Sequence, residues 1–144
     1  MLGLNLSLRL MNTRVPKFNL FTADFGNLNG LHVVGGSGVR WASSSGPTTD
    51  SESANKIFFD IDEKITVEIS ITQNIGSNVA PTGSRYIING SSPITYSSPF
   101  TVTYGDVIRV GVPFSGSLLS GSGNVVVRNS VTNQVIDLIP WTIN

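Results

Sequence analysis

One segment of the chain, residues 64–72, reads KITVEISIT. Its apolar residues Ile65, Val67, Ile69 and Ile71 alternate with Thr, Glu and Ser residues. Because successive side chains of a β-strand point to opposite faces, a strand with this sequence has one apolar and one polar face. The segment therefore predicts a strand of an antiparallel sheet, with one face in the core and the other toward water.

Similar short apolar runs surround this segment, and turn residues such as Asn89-Gly90 and Gly105-Asp106 separate them. Thr, Val and Ile dominate the runs, as half-buried pleated surfaces prefer. Turn signals recur about every 8–15 residues, which is typical of a sandwich or barrel, and no long window has the period of a helix. The chain is therefore predicted to be all-β, with short strands at 31–34 and 39–42 and further strands at 56–61, 64–72, 85–88, 99–104, 107–112, 124–128 and 134–139.

The charge pattern excludes one class of partner. Nine Lys and Arg residues balance nine Asp and Glu residues, and charged residues make up only 12% of the chain. With 40% hydrophobic residues and no net charge, the chain is expected to fold. A nucleic-acid-binding protein needs a basic face to displace counterions from phosphates, and no basic run is present. We therefore expect no nucleic-acid partner.

The chain contains no cysteine, which excludes disulfides, thiolate nucleophiles and cysteine-based metal sites. The first residues, 1–11, lack the basic start and the continuous apolar stretch of a signal peptide. No run approaches the roughly 18–20 apolar residues that cross a bilayer. We therefore expect no membrane partner.

The N-terminus has a strict period of two. The leucines on its even positions are separated by Gly3, Asn5, Ser7 and Arg9, so a strand would carry all the leucines on one face. A lone strand gains little stability, so this one must dock on another sheet. It either pairs with a sheet edge of a neighbouring subunit or is the first strand of its own domain. The predicted assembly interface consists of Leu2, Leu4, Leu6, Leu8 and Leu10.

Residues 12–55 read differently, because many Gly and Pro residues interrupt them and residues 43–55 are almost wholly polar. A long irregular stretch is unusual within a compact domain. The predicted organisation is an N-terminal strand, arm and loop region at residues 1–54 and a β-sandwich domain at residues 55–144.

No motif predicts catalysis, a metal or a cofactor. His32, the only histidine, lies in a short apolar run without a nucleophile motif. Asp60, Asp62 and Glu63 resemble the start of a calcium loop but lack its glycine and closing Glu, which favours a solvated turn. The glycines at residues 35–38 lack the Lys and the helix of a phosphate loop. We therefore expect a protein that is not an enzyme and that has no cofactor.

The aromatic residues suggest a second possible function, the binding of carbohydrate. Exposed rings that lie together could stack on sugars, and carbohydrate-binding modules are often β-sandwiches with such rings. The other reading is core packing, since aromatic side chains bury large areas. The glycan-stacking candidates are Trp41, Tyr86, Tyr96 and Tyr104.

The last part of the chain, residues 85–144, carries a family resemblance. Residues 98–112 read SPFTVTYGDVIRVGV, in which a short strand ends at Gly-Asp and a strand of alternating Val and Ile follows. A Gly/Ser loop at residues 115–123 and a hairpin at residues 124–139 come next. This order resembles the second half of small immunoglobulin-like domains, which are frequent in structural proteins of tailed bacteriophages and in bacterial surface proteins.

The resemblance implies an all-β fold, an immunoglobulin-like or jelly-roll-type antiparallel β-sandwich with an extended N-terminal strand or arm. It also implies a structural protein of a bacteriophage virion, assembled in the host cytoplasm: a capsid decoration, head-fibre or tail-associated subunit. Its partners would be other virion proteins and copies of itself, as a homo-oligomer. The alternative is a carbohydrate- or cell-surface-binding module, with a host surface glycan as ligand.

Overall fold

A computed structural model describes residues 31–33, 38–75, 83–114 and 121–143. The expectation of an all-β sandwich is confirmed, since these residues form ten strands and one short 3-10 turn, and no α-helix. In chain order the strands are β1 (Leu31–Val33), β2 (Gly38–Trp41), β3 (Ile57–Phe58), β4 (Ile65–Ile75), β5 (Arg85–Ile88), β6 (Ile94–Thr95), β7 (Phe100–Val102), β8 (Val107–Phe114), β9 (Gly121–Asn129) and β10 (Val135–Ile143).

The strands form two sheets. The first sheet has the order β1-β10-β9-β4-β7, in which β1 pairs with β10 in parallel and the other neighbours are antiparallel. The second sheet has the order β2-β8-β5-β6, and β3 also pairs with β8. An immunoglobulin-type sandwich pairs its strands as B-E-D and C-F-G. The trios β2-β8-β5 and β4-β9-β10 have these two orders, so the strand order agrees with the immunoglobulin-like alternative.

The main core lies between the two sheets. It consists of the apolar side chains that point inward from the strands of both sheets. From β4 these are Ile65, Val67 and Ile69, and β8 contributes its inward-facing residues opposite them. Full burial of such a side chain stabilises the fold by roughly 1.5–3 kcal/mol. The largest side chains buried almost completely are those of Trp141, Phe59, Ile57, Ile108, Ile139, Val67, Val102, Val110, Val112 and Val125.

The two short strands predicted at residues 31–34 and 39–42 are confirmed as β1 and β2, and both come before the predicted sandwich boundary at residue 55. β1 extends the first sheet beside β10, and β2 extends the second sheet beside β8. Trp41 and Ala42, at the end of β2, are buried. Strand pairing in this sandwich therefore includes described residues that the sequence prediction assigned to the N-terminal region, residues 1–54.

Residues 43–55, predicted to be a polar loop or linker, lie across the outer face of the second sheet. Trp41 and Thr48 exchange two backbone hydrogen bonds, of 2.7 and 2.9 Å, and the N–H of Asn55 donates to Ala42 at 2.8 Å. Ala54 then packs with Trp41 and Ile87 in a small second core. This face of the second sheet is therefore covered, an outcome that the polar composition of the segment did not indicate.

Trp141 joins three strands of the first sheet. Its indole Nε1 donates a hydrogen bond of 3.0 Å to the carbonyl oxygen of Thr72 in β4. Its ring lies over Gly123 of β9, where a Cβ atom would come within 2.7 Å of the indole and would also collide with the Thr72 carbonyl. Only a glycine at residue 123 allows the tryptophan and β4 to approach so closely.

A Gly123→Ala substitution should therefore lower the free energy of unfolding by about 2–3 kcal/mol, because the added methyl group overpacks a fully buried position. Urea denaturation measures this change. A Ser122→Ala variant in the same strand serves as the control, with an expected change within about 0.5 kcal/mol. Equal stability of the Gly123→Ala variant and the wild type would contradict the close packing described above.

Candidate assembly surface

The hairpin between β9 and β10 is held by side-chain hydrogen bonds at its tip. The Asn129 Oδ1 accepts from the N–H groups of Val131 and Thr132, at 2.9 and 3.3 Å. The N–H of Asn133, a residue with φ of 64°, donates to the Asn129 carbonyl at 2.9 Å. The N–H and the hydroxyl of Ser130 both donate to the carbonyl of Thr66. The tip is thus tied both to itself and to β4.

This tip presents an apolar side chain to solvent. Val131 is 81% exposed, although the loop around it is polar. On the outer face of β10, Val135 and Leu138 are 51% and 53% exposed. We call Val131, Val135 and Leu138 the hairpin stripe. Isolated exposed apolar residues are normal, but three on one hairpin mark a candidate interaction surface.

Beneath the hairpin stripe lies a packed outer layer of the first sheet. Val126 of β9 is opposite Leu138 on one side and Ser70 on the other. Its neighbours Val125 and Val127 belong to the main core, so Val126 points to the outer face, yet it is only 4% exposed. The stripe is therefore supported by a firm layer rather than by a loose loop.

A register shift lies in β10 between Val135 and Asp137, and Asp137 is opposite Val127 of β9. The Leu138 N–H donates to Asp137 Oδ1 at 2.8 Å, while Oδ2 is buried without a hydrogen-bond partner. Arg128 Nε and Ser70 Oγ, also on the first sheet, are buried without partners too. Burial raises the pKa of Asp137 from 3.8 to about 6, and the Leu138 hydrogen bond opposes this rise.

A shallow depression of about 240 Å³ adjoins the hairpin tip. It lies between the start of β4 and the tip, and its walls include Glu63, Lys64, Asn129, Val131 and Thr132. An apolar side chain beside groups of both charges is typical of the border between an interface core and its rim.

The sequence-predicted aromatic residues do not form one exposed surface. Trp41 is buried over Gly111, and Tyr86 is buried and stacked on Phe100 with ring centroids 4.1 Å apart. Tyr96 is half-buried and meets Phe100 edge-on.

Tyr104 is the exposed member of the four, at 66%, and it meets Phe58 edge-on at an interplanar angle of 80°. Perpendicular rings cannot form the flat platform that stacking on a sugar requires. The aromatic pairs therefore close the sandwich rather than form one platform.

The other predicted residues are placed as follows. The predicted interface leucines at positions 2–10 lie outside the described residues, so that interface stays a prediction. The backbone of His32 pairs with Thr142 in the first sheet. Asp60, Asp62 and Glu63 are exposed. Within the described ranges, no three His, Asp or Glu side chains are grouped closely enough to hold a metal ion.

Sequence reasoning missed the hairpin stripe. Val131 was a weak signal, as a single apolar residue in the polar loop between Asn129 and Asn133. For Leu138 the signal was alternation, since it lies next to the core residue Ile139 and three residues before the core residue Trp141, which directs its side chain outward.

Comparisons with protein-family models, with curated proteins and with solved structures found no match for this chain. No helix in the described part of the chain has the length and apolarity of a membrane span. The class that the structure defines is thus an all-β sandwich with two sheets.

The raised pKa of Asp137 predicts a pH-dependent stability. The folded chain holds this proton more tightly than the unfolded chain, so the stabilising contribution is complete below about pH 4 and is lost as the pH rises through about 6. An Asp137→Asn side chain does not ionise. The variant should gain about 1 kcal/mol relative to the wild type between about pH 4 and pH 7, after allowance for partial solvent screening.

Urea denaturation at a series of pH values measures this difference. Asp60→Asn, at an exposed position, controls for the loss of one negative charge. A difference between the Asp137→Asn variant and the wild type that does not change with pH would show that the carboxyl group is not desolvated in the fold.

Proposed function

We propose that this chain is a non-enzymatic structural subunit that acts through protein–protein assembly. Its proposed setting is the virion of a tailed bacteriophage, as a capsid decoration, head-fibre or tail-associated subunit, in line with the resemblance of residues 85–144. The observation that carries the assembly role is the hairpin stripe, an exposed apolar surface on a hairpin whose tip is fixed by hydrogen bonds.

The rigidity of the hairpin favours binding. Association must offset the entropy of ordering the surfaces that meet, and a preorganised surface reduces this cost. The Asn129 side chain and the Ser130–Thr66 hydrogen bonds already hold the tip in place. Covering Val131 and Leu138 would therefore gain most of their transfer free energy, up to roughly 1.5–3 kcal/mol for each side chain.

The two faces of the sandwich support a one-sided interface. Residues 43–55 already cover the outer face of the second sheet, and there Arg109 is buried 3.5 Å from Glu52. The outer face of the first sheet instead exposes Val135 and Leu138. Because the chain has zero net charge, no long-range repulsion separates copies that approach on this face.

The N-terminal leucines are a second part of the proposal. Their alternation suits a strand that adds to the sheet edge of a neighbouring subunit. This arm and the hairpin stripe are separate surfaces, so they can be tested by separate variants.

A Val131→Asp/Leu138→Asp double variant should weaken self-association at least about tenfold, because two charges would have to be desolvated in the interface. Sedimentation over a range of protein concentrations measures the effect. Both positions are exposed, so the stability to urea should change by less than about 1 kcal/mol. The matched control is Ser97→Asp/Ser98→Asp, which adds the same charge at two other exposed positions.

Mass spectrometry of purified phage particles, made in cells that carry the coding sequence, tests the virion setting. The wild-type chain and the serine control should be found in particles, and the Val131→Asp/Leu138→Asp variant should be depleted. A wild-type chain that is both monomeric and absent from particles would refute the proposal.

A carbohydrate- or cell-surface-binding module is the second candidate, and the exposure of the single ring of Tyr104 is the observation that favours it. If this role is correct, a glycan array should give hits that a Tyr104→Ala variant loses. An array without hits for the wild type, or with hits that Tyr104→Ala retains, would exclude Tyr104 as a glycan site.

A further inference from the structure

The turn after β5 carries an Asn-Gly pair, Asn89-Gly90. Both residues have a positive φ, of 49° and 73°, and the N–H of Ser91 donates to the carbonyl of Ile88 at 2.9 Å. Positive φ at both central residues is typical of a type I′ turn, in which Asn-Gly is a preferred pair. Asn89 and Gly90 are both exposed. The pair therefore lies at a tight turn in contact with solvent.

The side chain of Asn89 is held against the start of β8. Its Oδ1 accepts from the N–H of Val107 at 2.9 Å, and its Nδ2 donates to Oδ1 of Asp106 at 2.9 Å. The backbone N–H of Asn89 also donates to the carbonyl of Val107, at 2.8 Å. The Oδ2 of Asp106 accepts from the N–H of Thr103 at 2.8 Å, so this carboxylate joins two turns. We call the side chains of Asn89 and Asp106, with the N–H of Val107, the amide clasp.

An Asn-Gly pair has a chemical reaction of its own. The backbone nitrogen of the glycine attacks Cγ of the asparagine, a C–N bond forms, and Nδ2 leaves as ammonia with the proton that the glycine nitrogen gives up through solvent. Water then opens the cyclic imide. Opening at one carbonyl gives aspartate, and opening at the other gives isoaspartate, in which the main chain runs through the side-chain carbon. The net reaction consumes water and releases ammonia, and it needs no oxidant or reductant.

The surroundings of Gly90 leave room for this reaction. A Cβ atom at Gly90 would meet no atom of another part of the chain within 4 Å, so the fold does not obstruct water at this point. Among the described asparagines, Asn89 is the one that a glycine follows. A second pair, Asn29-Gly30, lies outside the described residues.

The amide clasp opposes the same reaction. Attack makes Cγ tetrahedral and brings it onto the Gly90 nitrogen, so Oδ1 and Nδ2 of Asn89 must both leave their partners first. Each such hydrogen bond shifts an equilibrium by roughly two- to tenfold. The reaction therefore depends on how often the clasp opens, which is a local event that does not require the whole sandwich to unfold.

We propose that Asn89 is a site of spontaneous deamidation, and that the amide clasp controls its rate. The product has a carboxylate where Nδ2 donated to Asp106, so two negative charges then face each other across the clasp. An attractive contact between the turn after β5 and the start of β8 becomes a repulsive one. This modification does not depend on the assembly role.

Incubation of the full chain at neutral pH, followed by peptide mapping with mass spectrometry, measures the conversion at Asn89 separately from that at Asn29. The wild type should convert at least about tenfold more slowly than a synthetic peptide of residues 85–95, which cannot form the clasp. Asp106→Ala removes the acceptor of Nδ2 and should convert at least about fivefold faster than the wild type. The matched control is Asp60→Ala, which removes an exposed carboxylate elsewhere and should convert at the wild-type rate.

An exchange of the two side chains tests the consequence of the modification. Asn89→Asp should raise the equilibrium constant for unfolding about fivefold, because it loses the hydrogen bond to Asp106 and adds a like charge. In Asn89→Asp/Asp106→Asn, the new amide can donate to the new carboxylate, and its oxygen can accept from the N–H of Thr103. This double variant should therefore recover most of the lost stability in urea denaturation.

Three results would overturn the proposal. The first is a wild type that converts at Asn89 as fast as the peptide, since the clasp would then offer no protection. The second is a folded Asp106→Ala variant that converts no faster than the wild type. The third is a double variant that is as unstable as Asn89→Asp, which would show that the two side chains are not coupled. Should Asp106→Ala not fold, the peptide comparison and the double variant decide.

Discussion

The hydrogen bond between the Trp141 indole and the Thr72 carbonyl is the contact on which the first sheet depends. A buried indole N–H must find an acceptor, and here it finds one two strands away. Gly123 lets the ring and β4 meet across β9. This contact sets how β10, β9 and β4 lie relative to one another.

The two outer faces of the sandwich differ in how far they are covered. Residues 43–55 cover the second sheet, since Ala54 packs on Trp41 and Ile87. The first sheet keeps an exposed face, where Leu138 lies above a tightly packed Val126. A protein that builds a larger structure needs at least one surface of this second kind. The contrast between the faces is a physical reason to expect assembly through the first sheet.

Much of the fold was predictable, but little of the candidate site was. The strand predicted at 85–88 is confirmed at both ends, and that at 64–72 extends to Ile75. The prediction at 56–61 was too long, because only Ile57 and Phe58 pair with β8. The burial of Tyr86 could not be predicted, because its ring stacks on Phe100, a residue distant in sequence.

Alternation is a local property, because each side chain's direction depends only on its neighbours along the chain. The alternation therefore predicted that residues such as Val67 and Ile69 lie in a strand and in the core, and this prediction did not depend on which strands pair. Pairing is not local. The strands that lie beside β4, and the number of residues over which they pair with it, depend on how β7 and β9 pack. Only the tertiary structure could show that β7 pairs with three residues of β4, Ile65 to Val67, because strand pairing is decided by packing between distant segments.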